Sequence, residues 1–242
     1  MVTQANKPLA QQYLDRVLNE EFPAAQEIEQ SPVTLSIATC TLGKVRIEWA
    51  TNMFRFRKLI GMKTQQKVML NYELCDARNV AVHEALAENV EFLLFWDDDM
   101  LPFDSTATVK LLAEMQLHPE IDVIGGVYPP RRDITEPLVI KQRNMGTWWG
   151  WRDGRVHKVF MVGTGFMMLR MDSLRKMDVP TYTLGELELK QFFDDGADIT
   201  DDFYFAYLAE QNGLNTYVHG GVICAQINID GKMFTIPDTE VE

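Results

Sequence analysis

An unbroken apolar run, Phe92-Leu93-Leu94-Phe95-Trp96, stops abruptly at three consecutive carboxylates, Asp97-Asp98-Asp99, before Met100. A run of this length bounded by polar residues suits a strand buried on both faces of a parallel sheet. Open α/β sheets hold their ligands at the carboxyl ends of such strands, so chemistry is expected at this junction. Three adjacent negative charges repel one another and are costly to bury unless a cation or hydrogen-bond donors compensate. In an extended segment alternate side chains point the same way, so Asp97 and Asp99 can converge on one ion while Asp98 turns aside. Oxygen ligands favour magnesium, manganese or calcium over zinc, and a magnesium-like ion completes its shell with water and substrate phosphates. The pattern points to a metal-assisted site for a phosphorylated substrate; the competing reading is a solvated acidic turn after a core strand.

Around this strand the chain alternates. Strands are expected over Val33–Ala38, Lys67–Leu70, Ile121–Tyr128 and Thr216–His219, and helices around Asn79–Glu88 and from Asp201 through Leu208 toward Gly213. A basic stretch runs through Arg46, Arg55, Arg57 and Lys58. Asp104 or Ser105 can cap a further helix whose Leu111, Leu112 and Met115 face the core. This succession predicts an α/β fold with a largely parallel central sheet. A length of 242 residues, 46% of them hydrophobic, fits one compact domain over 31–230. A helical extension is expected over 1–30, with Tyr13, Leu14, Val17 and Leu18 on one face, and an acidic tail over 231–242. That helical face either docks on the domain or recruits a partner.

The net charge of −12 argues against unaided binding of nucleic acid or an anionic membrane. It also means that a diphosphate needs local help from metal or arginine. Cys40, Cys75 and Cys224 are widely spaced and lack a zinc or redox pattern, which suits reduced core residues of a cytoplasmic protein. The first ten residues lack a signal-like pattern and no stretch is long enough to span a bilayer, so a soluble chain with no integral membrane segment is expected.

Further short segments stand in order along the chain: Asp76-Ala77-Arg78-Asn79, Trp96-Asp97-Asp98-Asp99-Met100, Ile124-Gly125-Gly126-Val127-Tyr128, Val162-Gly163-Thr164-Gly165-Phe166-Met167-Met168-Leu169-Arg170 and Thr200-Asp201-Asp202-Phe203-Tyr204-Phe205. Together they resemble the motifs of the GT-A glycosyltransferases, especially the family 2-like nucleotide-sugar transferases, over roughly Val33 to Ile229. The resemblance implies a Rossmann-like GT-A domain that moves a sugar from a nucleotide-sugar donor to an acceptor hydroxyl, with inversion, aided by Mn2+ or Mg2+. Asp97 and Asp99 match the family's metal-binding Asp-x-Asp motif. Thr39, Arg78, Asp97, Asp98, Gly163, Thr164 and Gly165 are the positions implied to meet the donor. Arg78 suits phosphate through its planar fork, or forms an ion pair with neighbouring acids. Glycines at 163 and 165 would let the donor approach the backbone. Asp202 matches the family's aspartate and Asp201 its glutamate, so Asp202, with Asp201 next, is the expected general base; carboxylates in a first helical turn are also favoured by the helix dipole alone.

One position departs from the family. Where a further metal-binding histidine is usual, this chain carries Gln226, and His219 stands where an acidic residue is common. Either His219 or Gln226 could complete the metal shell, or the ion keeps another water. Gly146-Thr147-Trp148-Trp149-Gly150-Trp151 suits a wall that stacks on a sugar, or a loop folded onto the core. Arg131-Arg132 could meet phosphate or simply be solvated, and His83, His118 and His157 carry no ligand spacing. A phosphatase of the haloacid dehalogenase type is disfavoured by Met100-Leu101 after the acids, and a nucleotidyltransferase by the sparse Leu42-Gly43-Lys44. The acceptor could be a glycan, lipid-linked sugar, protein, small molecule or hydroxylated nucleobase. The alternative function is a noncatalytic nucleotide-sugar or glycan-binding module on the same fold.

Overall fold

The computed structural model describes residues 33–56, 63–132, 136–196 and 199–237. The helical extension expected over 1–30, Arg57, Lys58 and residues 238–242 lie outside them. In chain order the first half comprises β1 (Val33–Thr41), α1 (Ile47–Phe56), β2 (Lys63–Leu70), α2 (Leu74–Ala87), β3 (Phe92–Trp96), β4 (Met100–Pro102), α3 (Ala107–Leu117) and β5 (Val123–Val127). The second comprises β6 (Val139–Ile140), β7 (Val156–Val159), β8 (Met161–Val162), β9 (Phe166–Arg170), α4 (Met171–Arg175), β10 (Thr181–Leu184), β11 (Leu187–Lys190), α5 (Asp201–Gln211), β12 (Thr216–Ile227) and β13 (Met233–Phe234).

The central sheet has the order β2-β1-β3-β9-β5-β12-β13, with β4 and β7 also paired to β12. Strands β2, β1 and β3 run parallel, as do β5 and β12, while β9 runs antiparallel between β3 and β5. The apolar run is β3, and every residue of it is buried. Phe92, Leu94 and Trp96 pack in a cluster with α1 and α3, whereas Leu93 and Phe95 pack in a second cluster with α2 and α4. Helices cover both faces, which is why this strand tolerates no polar alternation. Leu111, Leu112 and Met115 of α3 are fully buried, as its sequence pattern predicts.

Several boundaries differ from the sequence reading. Strand β1 runs on to Thr41, carrying the strand end past Thr39. Helix α2 begins at Leu74, five residues before the expected start at Asn79, so Arg78 lies within the helix rather than before it. Thr106 is the N-cap of α3, and Asp104 instead accepts hydrogen bonds from the Thr106 amide and hydroxyl, both at 2.8 Å. Strand β12 continues through Gly220-Gly221 to Ile227, with an irregular register between Val218 and Ile223. A Cβ on Gly220 would lie 2.0 Å from the Trp151 carbonyl, so the loop carrying Trp151 can press on the strand only at a glycine.

Among the described residues, no helix is long and apolar enough to cross a membrane. Glycine also sets the spacing at the centre of the sheet: a Cβ on Gly125 of β5 would fall 2.7 Å from Val162 Cγ2 of β8. Gly125→Val is expected to destabilise the domain by ~1–3 kcal/mol through overpacking, read as a lower urea midpoint without loss of helical circular dichroism in the native baseline.

Candidate functional site

A cavity of about 790 Å³ opens at the carboxyl ends of β1 and β3. Its wall includes Thr41 at the end of β1 and Leu42 beyond it, Arg78 of α2, Asp97, Asp98 and Asp99 beyond β3, Arg131 beyond β5, Thr164 before β9, Asp201 and Asp202 at the start of α5, and Gln226 of β12. The three acidic positions and the two that open α5 are therefore brought to one place.

Arg78 joins them. Its side chain, on α2, is 3% exposed; Nη2 pairs with Asp97 Oδ2 at 2.6 Å and Nη1 pairs with Asp201 Oδ2. The guanidinium also lies 5.8 Å from the Phe95 ring centre and 5.9 Å from that of Phe193. Asn79 fixes the second ring by accepting the Phe192 and Phe193 amides at 2.9 and 3.0 Å and donating to the Phe193 carbonyl at 2.8 Å. Burial opposes the Arg78 charge, but Asp97 and the other acidic groups around it, Asp202 among them, together outweigh this and hold the guanidinium protonated. Arg78 also lines the cavity, and its contacts there with Asp97 and Asp201 match the ion-pair reading of this residue.

The acidic turn is held by its backbone. The Asp97 amide donates to Gly165 O at 2.9 Å, Trp49 Nε1 donates to Asp97 O at 2.8 Å, and the Ile227 amide donates to Asp99 O at 2.8 Å. Gln226 Nε2 donates to Asp99 Oδ2 at 2.9 Å, and Arg131 Nη1 lies 3.3 Å from the same oxygen. Burial raises the Asp99 carboxyl to about 6, helped by the charge of Asp97 and opposed by Arg131 and Gln226. Burial also raises Asp97 and Asp98; Arg78 opposes the first shift, and the Thr41 hydroxyl and Arg131 the second.

Asp97 Oδ1, Asp99 Oδ1 and Gln226 Oε1 are buried without a hydrogen-bond partner. Such oxygens are costly to leave unsatisfied, and a hard divalent cation is the ligand whose chemistry suits them. Among the described residues no three His, Cys, Asp or Glu side chains gather as a metal site by themselves. The donor set that fits is two carboxylates and an amide oxygen, with the remaining positions left to water or phosphate.

Thr164 separates the roles of the paired acids on α5. Its amide and hydroxyl both donate to Asp202 Oδ1 at 2.7 Å, and the hydroxyl lies 3.3 Å from Asp201 Oδ2. Asp201 is neutralised by Arg78, while Asp202 is oriented by neutral donors and faces the cavity.

Gly163 and Gly165 have a different purpose from the close donor approach expected of them. A Cβ at Gly163 would fall 2.2 Å from the Tyr128 hydroxyl, and the Gly165 amide donates to that oxygen at 2.7 Å. The space they leave is filled by the Tyr128 ring. Thr39 does not line the cavity: it is buried within β1, and Thr41 at the strand end takes its expected place. His219 likewise lies outside the lining, its Nδ1 accepting the Gly221 amide at 3.1 Å, so of the two candidate ligands only Gln226 reaches Asp99. The tryptophan segment also lies outside the lining. Trp151 is buried, Lys141 sits 4.7 Å from the Trp148 ring centre, and Arg152 sits 4.7 Å from that of Trp149. Tyr128 and Trp49 are the positioning residues that sequence reasoning missed; the signal for Tyr128 was an aromatic ring at the end of a strand, two glycines after Ile124.

Two outcomes follow from this geometry. Arg78→Met should cost ~3–5 kcal/mol in urea unfolding, because Asp97 and Asp201 are left buried without their cation, and the loss should shrink as pH falls and Asp97 takes up a proton. The Asp99 carboxyl lies above its ordinary value of 3.8, so its stability contribution is present below that value and lost as pH rises through about 6. Metal-free Asp99→Asn should therefore be more stable than the parent at pH 7, by about 3 kcal/mol, with the difference falling away toward pH 4.

No family model and no curated protein sequence matches the chain. Among solved structures, it is similar to A197 from STIV, with a TM-score of 0.60 and 16% identity over 87% of this chain and 97% of that one. Mannose-1-phosphate geranyltransferase from Thermus thermophilus matches with a TM-score of 0.43 and 14% identity, over 79% of this chain and 75% of that one, a likeness too remote to carry an argument. The first likeness shows the fold: a Rossmann-like α/β domain whose central, largely parallel sheet is flanked by helices.

Proposed function

We propose that this chain is a metal-dependent glycosyltransferase of the GT-A type, moving a sugar with inversion from a nucleotide-sugar donor to an acceptor hydroxyl. One observation carries the reading: the unpaired oxygens of Asp97, Asp99 and Gln226 border the same cavity as an Asp202 carboxylate held by Thr164. Mn2+ or Mg2+ on the first set would stabilise charge developing on a diphosphate leaving group. Asp202 takes the proton from the acceptor hydroxyl as it attacks, its orientation fixed through Oδ1. Asp201 does not compete for that role, because its charge is taken up by Arg78. Thr41, Leu42 and Tyr72 also line the cavity and are the residues we assign to the nucleoside.

Calorimetric titration with uridine, guanosine, cytidine and adenosine diphosphates, with and without Mn2+, tests this assignment. One of them should bind, and only with the metal. Asp202→Asn should leave that binding within about twofold while slowing transfer by ~10²–10⁴, since the amide keeps an acceptor for Thr164 but not a base. Folded protein that binds none of the four would instead favour the noncatalytic module.

A further inference from the structure

The proposed ligand carries a diphosphate, yet the cavity wall presents Asp97, Asp98, Asp99, Asp201 and Asp202. A divalent cation offsets part of this charge; a second source of positive charge must face the phosphate. Arg78 is withdrawn from that task by Asp97 and Asp201. Arg46 is held by Glu48 and by the Ile229 carbonyl at 3.1 Å. Lys44 also lines the cavity but is an exposed point charge without a planar fork, and Arg131 differs from all three. Its side chain is 51% exposed, and its ion pair with Asp99 is a single contact at 3.3 Å, against 2.6 Å for Arg78 with Asp97. It stands three residues beyond Tyr128, whose ring is fixed by Gly165, so a short tether delivers it to the cavity wall.

We propose that Arg131 is a phosphate-binding residue of this cavity, held on Asp99 Oδ2 until a divalent cation on Oδ1 draws off the carboxylate's charge. The inference rests on the transferase reading and extends it to a residue that the sequence motifs leave without a role. Arg131 lies on Asp99 Oδ2 and a cation would take the unpaired Oδ1, so both draw on one carboxylate charge and each weakens the other's hold on it. With a cation on Oδ1, the guanidinium would be held more weakly at Oδ2 and would be free to turn to the oxygens of a phosphate bound in the cavity. Its planar fork then meets two of those oxygens at once. Arrival of the cation thus creates the phosphate site, which gives the order metal first, diphosphate second.

The test uses Mn2+ alone, followed by electron paramagnetic resonance, and then inorganic pyrophosphate added to the Mn2+-loaded protein and followed by calorimetry. Arg131→Ala should bind Mn2+ roughly two- to fivefold more tightly than the parent, the margin set by a half-exposed ion pair. Its pyrophosphate affinity should fall about tenfold or more. Arg131→Lys, which keeps the charge without the fork, should hold Mn2+ as the parent does and bind pyrophosphate with intermediate affinity. If the parent binds Mn2+ while Arg131→Ala leaves either affinity unchanged, the exchange is overturned and the transferase reading stands. If the parent binds no Mn2+, both fall together.

Discussion

Arg78 carries its charge into the interior of the domain, between Asp97 at the end of β3 and Asp201 at the start of α5. An unpaired cation there would be prohibitively costly, and so would either carboxylate without it. The pair of contacts therefore fixes where α5 begins relative to the central strand. Phe95 and Phe193 enclose the guanidinium, and Asn79, the next residue on α2, pins the loop that carries Phe193. One helical turn of α2 thus sets both the charge balance and the packing beneath the cavity.

The same arrangement gives neighbouring acids unlike environments. Asp201 faces a buried cation, whereas Asp202 accepts from the amide and hydroxyl of Thr164. Asp97 and Asp99 differ in a parallel way: the first is paired to Arg78, the second shares Oδ2 between Gln226 and the exposed Arg131. Adjacent residues of identical chemistry thereby take on separate roles, and burial raises the carboxyl of Asp99 to about 6. Thr164 can do this because Tyr128 fills the space above Gly163 and Gly165 and fixes the turn between β8 and β9.

Much of the architecture is legible from residues alone. The five apolar residues of β3 are buried on both faces, and α3 turns Leu111, Leu112 and Met115 inward. The acids at 97–99 and 201–202 do meet in one cavity. Other readings fail for a common reason. Thr39, His219 and the glycines at 163 and 165 take their expected places from the family resemblance, whereas their surroundings here come from distant chain: β1 extends two residues past Thr39, β12 continues through Gly220-Gly221 with an irregular register, and Tyr128 arrives from β5.

The sequence by itself determined the alternation of strands and helices, the buried strand ending in carboxylates and the acidic start of α5, because periodicity and charge act over a few neighbouring residues. Tertiary structure decided which oxygens are left unpaired, which aspartate of α5 pairs directly with Arg78, and which arginine rests on Asp99. Those outcomes depend on single contacts between remote positions, such as Gln226 and Asp99, 127 residues apart. A hydrogen bond is made or lost over a fraction of an ångström, a precision that only the packed sheet supplies.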